Sequence, residues 1–256
     1  MDFLYMASVD IARGDKVVLH DVNLRIAGGE HIAILGPNGC GKSTLIKAIT
    51  CECYPIVRPG MEIKIFGRDR WDVQQLRKHL GVVAAELPGE RTAVTSGLDA
   101  AVSGFFSSST IWPNLVVTES MRATALEMLA LMGAEYLRDR LVGEMSAGEK
   151  RRVMIARSLV HRPEMLLLDE PSNALDLSAQ QELREILRKV ASTTGLIMVT
   201  HHLADILPEI DRVVMMRDGR IVADGPKREL LTTPRLRELF GIELELVERN
   251  GYWHSW

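Results

Sequence analysis

An apolar run, His31-Ile32-Ala33-Ile34-Leu35, leads into Gly36-Pro37-Asn38-Gly39-Cys40-Gly41-Lys42-Ser43-Thr44, after which Leu45, Ile46 and Ile49 recur at helical spacing. Strand, glycine loop and helix in that order leave few folds open, because every fixed position of G-x-x-x-x-G-K-[ST] is filled. Small residues let consecutive backbone N–H groups converge on the β- and γ-phosphates of a nucleotide at a helix N-terminus. Lys42 supplies a point charge there, and the Ser43 hydroxyl supplies a ligand for Mg²⁺. A plain tight turn would not call for Lys-Ser after the glycines. A dinucleotide fingerprint fails, since Gly36, Gly39 and Gly41 run in the reverse spacing of G-x-G-x-x-G.

The chain's 256 residues suffice for one large α/β domain, or for a core with an inserted subdomain. Three cysteines in no repeated spacing make no disulfide framework and suit a reducing compartment. No run approaches the roughly 18 apolar residues that span a bilayer, and Met1-Asp2-Phe3 opens without the blocks of a signal peptide. The expected location is therefore cytoplasmic, including the periphery of the inner membrane's cytoplasmic face. A net charge of −3 provides no global positive field, so no nucleic acid partner is expected.

Val17-Val18-Leu19 and Val22-Leu24-Ile26 read as strands, and Glu62 to Gly67 alternates after Pro59-Gly60, which predicts an antiparallel β layer near the N-terminus. From about Leu87 to Val160 helical spacing dominates (Leu126, Leu129, Met132), with a small-residue stretch at Ser103 to Thr110 as its one strand signal. Strand character returns in Met165 to Leu168, Leu196 to Val199 and Val213 to Met216, around a helix over Ser178 to Val190 that Ser178 and Gln181 would cap. Such alternation predicts a mainly parallel sheet. The expected division is a nucleotide-binding core over 1–87 and 160–240, a helical insert over 88–159, and a terminal hairpin over 241–256. Asp218-Gly219 and Asn250-Gly251 each read as two-residue hairpin turns.

Met165 to Asp169 reads as a buried strand ending in a carboxylate, where an acid can hold Mg²⁺ without being paired in the core. Glu170 follows, and neighbouring carboxylates at a strand end diverge, which leaves Glu170 to polarise an attacking water as general base. His201 follows the strand Leu196 to Val199 and Thr200, where it can hydrogen-bond a γ-phosphate; His202 beside it shows that a histidine here can also be simply solvated. Ser146 and Glu149 make a capping box continued by Val153, Ala156 and Leu159, so Ser146 and Gly148 lie at a positive helix end.

In this order the peptides resemble the nucleotide-binding subunit of the ATP-binding cassette family, from about residue 8 to residue 240. By that resemblance Ser146-Ala147-Gly148-Glu149 corresponds to the LSGGQ signature, with Met145 for leucine, Ala147 for a glycine and Glu149 for glutamine. Asn173-Ala174-Leu175-Asp176 matches the D-loop, with Asp176 in the nucleotide site, and Thr200-His201 the switch histidine. The resemblance implies a P-loop NTPase fold with an inserted helical subdomain and Mg²⁺-dependent ATP hydrolysis. It also implies two ATP molecules sandwiched between two copies, each signature acting on the other copy's nucleotide, with transmembrane permease subunits as further partners.

Two positions depart from the family. Arg13 stands where an aromatic usually stacks on adenine, and a guanidinium plane can stack too. After Leu80-Gly81-Val82-Val83 the family has a glutamine, and this chain has Ala84-Ala85-Glu86. Ser103-Gly104-Phe105-Phe106 is similar to a segment of the molybdate-related soluble branch. Three roles therefore stand: the ATP-binding subunit of a transporter, a soluble ATPase on a non-membrane partner, and a regulatory module of negligible turnover.

Of the remaining residues, Cys40 at a helix N-terminus could carry a lowered thiol pKa or be a tolerated small residue. Cys51 and Cys53 with Glu52 supply two thiol ligands, too few for a good metal site. Lys150-Arg151-Arg152 reads as a solvated helix face, a contact for an acidic surface, or support for the Glu149 cap. The tail Tyr252-Trp253-His254-Ser255-Trp256 fits either a partner patch or a hairpin covering its own domain.

Overall fold

The computed structural model describes residues 1–86 and 89–256. The 87/88 boundary expected between core and helical insert lies outside the described residues. In chain order the elements are β1 (Asp2–Arg13), β2 (Lys16–Ala27), β3 (Ile32–Leu35), α1 (Lys42–Ile49), β4 (Glu62–Ile65), α2 (Val73–His79) and β5 (Leu80–Val83). The helices α3 (Glu90–Ala93), α4 (Gly97–Val102), α5 (Glu119–Leu131) and α6 (Ala147–Leu159) follow, then β6 (Met165–Asp169) and α7 (Leu177–Ala191). The chain closes with β7 (Gly195–Thr200), β8 (Arg212–Arg217), β9 (Arg220–Pro226), α8 (Lys227–Leu230), α9 (Thr233–Phe240), β10 (Leu246–Arg249) and β11 (Tyr252–Ser255).

Two compact units divide these elements, one formed by Met1–Leu76 with Gly195–Trp256, the other by Arg77–Thr194. In the first, β3 lies between β7 and β8 and runs parallel to both, with β9 antiparallel on β8. All four residues of β3 and all six of β7 are buried, as a strand covered on both faces requires. β9 instead alternates exposed and half-buried residues, the pattern of a strand with one wet face.

The antiparallel layer has the order β2-β1-β4. Its central strand β1 is absent from the sequence reading, because adjacent Phe3 and Leu4 are both buried and repeated register shifts break the two-residue alternation. The two strands expected within residues 17–26 are one continuous β2, irregular opposite β1.

In the second unit β5 and β6 pair in parallel, with Val83 opposite Leu168. Helices α3 to α6 fall within residues 90–159, and α5 buries Ala125, Met128 and Leu129 along one face. The small-residue stretch at Ser103 to Thr110 holds no strand; Ser103–Phe106 is a turn of 3₁₀ helix. Gly104 there comes so close to Arg157 that a Cβ would stand 2.2 Å from its carbonyl oxygen. The cap of α7 is also corrected: Asp176, not Ser178, is the N-cap, its carboxylate accepting from Ala179 N–H at 2.8 Å. Beyond it Leu183, Ile186, Leu187 and Val190 form the buried stripe expected of them.

Both two-residue turns form, with Asp218 and Gly219 at φ 49° and 74° and Asn250 and Gly251 at 55° and 80°. The terminal hairpin turns inward at its middle, where Trp253 is buried and Gly251 lies against Pro208, while Trp256 is exposed.

Candidate functional site

Residues 36–44 bridge the carboxyl end of β3 and the N-terminus of α1, and their shape depends on neighbours in the same unit. A Cβ on Gly36 would stand 2.3 Å from Met216 O and 2.7 Å from Cys40 Sγ; Gly41, at φ 108°, would strike the Leu19 side chain. The β8–β9 turn props the loop from below. Gly219 N–H donates to Cys40 O at 2.9 Å, and Gly219 O accepts from His20 N–H at 2.9 Å. A turn legible as a hairpin signal therefore also buttresses the loop.

Lys42 is buried, and its ammonium donates to Gly36 O at 2.7 Å and Pro37 O at 3.2 Å, folding the loop over its own cation. The first-turn amides of α1 at Lys42 and Ser43 point out of the helix start, where no intrahelical acceptor exists. That curvature, with a fixed charge at a helix N-terminus, fits a polyphosphate. Asn38, Gly39 and Ser43 line the exposed rim, whereas Thr44 is buried. Cys40 is buried as well, and burial pushes its thiol pKa up against the pull of Lys42, so it is no activated thiolate.

His201 belongs to the same unit. Leu35 stands opposite Thr200 in the β3–β7 register, so the loop and the histidine leave adjacent strand ends. Thr200 is fully buried, donates its hydroxyl to Asp205 at 2.8 Å and accepts from His202 N–H at 3.0 Å, which sets the turn carrying both imidazoles. The His201 and His202 rings lie against each other with centroids 3.8 Å apart and planes tilted by 39°. Asp205, itself buried, has no signal in the sequence that marks it for this task. Arg13 sits exposed at the tip of the β1–β2 hairpin, paired with Lys16 across Gly14-Asp15.

The carboxylates occupy the other unit. β6 buries Met165 to Leu168 and ends at the half-buried Asp169. Glu170 then adopts φ 44°, a left-handed conformation costly for a non-glycine residue, and its carbonyl accepts from Asn173 N–H. The left-handed residue ends the extended run of β6 directly after Asp169. A hydroxyl such as that of Ser43 and a carboxylate such as that of Asp169 are oxygen donors, the chemistry a hard cation such as Mg²⁺ takes.

At the start of α6, Ser146 Oγ accepts from Glu149 N–H at 3.2 Å and the Glu149 carboxylate accepts from Ser146 N–H at 2.7 Å. The second carboxylate oxygen accepts from the Tyr136 hydroxyl at 3.2 Å and from Arg140 at 3.3 Å. Burial alone would raise the Glu149 carboxyl, but the Ser146, Tyr136 and Arg140 donors outweigh it and hold it below the ordinary glutamate range. Ser146 remains exposed and Ala147, Gly148 and Glu149 half-buried, so this helix tip is open to the surface. A Cβ on Gly148 would come 2.9 Å from the Ala179 Cβ, which ties the glycine to the α7 start that Asp176 caps.

A lowered carboxyl stabilises the fold above its unfolded value, and that contribution is lost as pH falls through the folded one, below about 4.5. Glu149→Gln keeps a capping acceptor without titrating. Thermal unfolding from about pH 6 to about pH 3 should therefore show a smaller drop in midpoint for Glu149→Gln than for the unmodified chain. Equal drops would mean that the cap does not depend on this charge.

Lys150-Arg151-Arg152 is not the solvated face its composition suggests. Arg151 is 1% exposed, and Arg152 donates to Gly133 O and to the Tyr136 hydroxyl. Among the described residues no helix is long and apolar enough to cross a membrane.

A family profile described as ABC transporter matches residues 19–173. This chain belongs to that family. It is an ATP-binding, ATP-hydrolysing member. The hemin import ATP-binding protein HmuV of Aliivibrio fischeri is 32% identical over 240 residues, covering 89% of this chain and 86% of the relative. Among solved structures, the ADP conformation of MJ1267, an ATP-binding cassette of an ABC transporter, superposes with a TM-score of 0.81. It covers 93% of this chain and 98% of that one at 23% identity, a likeness of fold. The dimeric structure of MJ0796, a bacterial ABC transporter cassette, gives 0.71 with 25% identity over 87% of this chain and 98% of that one. These relatives do not bear on the molybdate-related branch.

Proposed function

We propose that this ABC ATPase works as the ATP-driven subunit of a membrane transporter, two copies closing on two ATP molecules and reopening after hydrolysis. The loop 36–44 with Lys42 grips the β- and γ-phosphates, and Arg13 stacks on adenine. Ser43 and Asp169 hold Mg²⁺, which when bound neutralises charge developing on the phosphoryl oxygens. Glu170 accepts the proton of the attacking water, and His201, set by the Thr200–Asp205 pair, hydrogen-bonds the γ-phosphate. Ser146 to Glu149 and Asp176 meet the nucleotide held by the other copy, the α6 tip offering its positive end to the γ-phosphate.

The observation that carries this reading is the exposed helix tip at Ser146, capped yet open to a second molecule. A signature buried within its own unit could serve no neighbour. The likeness to a hemin import ATP-binding protein supports assembly with permease subunits, which would place the chain at the cytoplasmic face. Purified chain supplied with ATP and Mg²⁺ is expected to release phosphate, chelation of the metal to stop it, and a polytopic membrane protein to copurify with the chain. Release unchanged by chelation would remove the metal assignment, and a chain that copurifies with no membrane subunit would remove the transporter role.

A further inference from the structure

Arg151 lies one turn inside α6 and is almost completely buried, a costly place for a permanent cation. Its guanidinium donates to Ala84 O at 2.5 Å and Ala85 O at 2.7 Å, across 67 and 66 residues of chain. Nε is buried with no hydrogen-bond partner. A side chain kept there at that cost serves a geometry, and the geometry is a two-pronged clamp on main chain.

The clamped segment offers the guanidinium main chain rather than side chain. Ala84 and Ala85 carry no polar side-chain atom, and Ala84 and Glu86 are exposed. It also continues β5 directly beside the end of β6: Val83 pairs with Leu168, which brings Ala84 level with Asp169. Burial pulls the Arg151 guanidinium down while the Asp169 charge pushes it up, so the cation and this carboxylate feel each other. From the Ser146 cap to Arg151 is little more than one helical turn, and a helix moves as a rigid body over that distance.

We propose that Arg151 is a positioning residue that transmits displacement of the signature helix tip to the segment Ala84–Glu86, the stretch in which this chain has no glutamine. A glutamine there could respond through its side-chain amide; two alanines can be reached only through their carbonyls, and the forked guanidinium fits both. The inference rests on the proposed role of the α6 tip.

The test is hydrogen exchange in the Glu170→Gln background, with and without ATP and Mg²⁺. With Arg151 present, nucleotide is expected to slow exchange by about tenfold at both 146–150 and 84–86. In Arg151→Met the slowing at 146–150 persists and that at 84–86 disappears, whereas Arg151→Lys, which keeps the charge but not the fork, retains a reduced slowing at 84–86. With Glu170 intact, Arg151→Met should lower kcat by about tenfold and leave KM for ATP within about twofold, because the phosphates are held by other residues. Slowing at 84–86 that survives Arg151→Met overturns the proposal while the sandwich stands. No slowing at 146–150 in the parent removes the reading of the α6 tip, and this inference with it. Should Arg151→Met fail to fold, undiminished slowing in Arg151→Lys is the overturning result.

Discussion

Glu170→Gln is expected to lower phosphate release by about 10²- to 10⁴-fold while leaving ATP binding and ATP-dependent dimers in place. The amide preserves the size and hydrogen-bonding reach of the carboxylate but cannot accept the water's proton. The left-handed backbone at Glu170, φ 44°, should tolerate the change, since only the side-chain terminus differs. With hydrolysis blocked and closure intact, the dimer accumulates. Phosphate release and light scattering with Mg²⁺ and ATP check the two halves separately. Release within about threefold of the unmodified rate would show that another group activates water. A purely monomeric variant would show that the sandwich does not form.

Lys42→Ala should weaken ATP binding by about a hundredfold, the fold-change that corresponds to losing one charge-assisted contact of about 3 kcal/mol, and abolish measurable turnover. Two effects converge. The polyphosphate loses its nearest cation, and Gly36 O and Pro37 O lose the buried ammonium that curls the loop around it. Isothermal titration with ATP reads the first effect. Exchange rates at residues 36–41 read the second, which should rise even without nucleotide. Affinity reduced by less than about threefold would mean that the phosphates bind elsewhere.

Much of this site is legible in the sequence because its signals are local. Gly36 to Thr44 declares a strand, a loop and a helix start within nine consecutive positions. The Ser146–Glu149 capping box spans one turn, and its reciprocal bonds form as the residue types predict. The apolar runs at β3, β6 and β7 are unbroken because both faces are covered, so neither register nor neighbour is needed to recognise them. Where several weak local signals compete, the reading slips. Ser178 with Gln181 imitates a capping box, but Asp176 two residues earlier captures Ala179 N–H and begins α7 there. β1 goes unseen because bulges destroy the alternation by which a strand is recognised.

The class of fold, the loop that suits a polyphosphate, and the strand ends at which Asp169, Glu170 and His201 stand are all readable from residue order alone. Each rests on residues within a turn or a strand of one another, where spacing alone dictates which atoms can meet. Packing in three dimensions is what buries Arg151 on Ala84 and Ala85, has Asp205 set the turn after Thr200, has Gly219 prop Cys40, and brings Gly148 against Ala179. Apart from the short Thr200–Asp205 turn, these contacts join residues far apart in the chain. Lys-Arg-Arg on a helix has the same periodicity whether its middle member faces water or a distant strand end, and only packing tells the two apart.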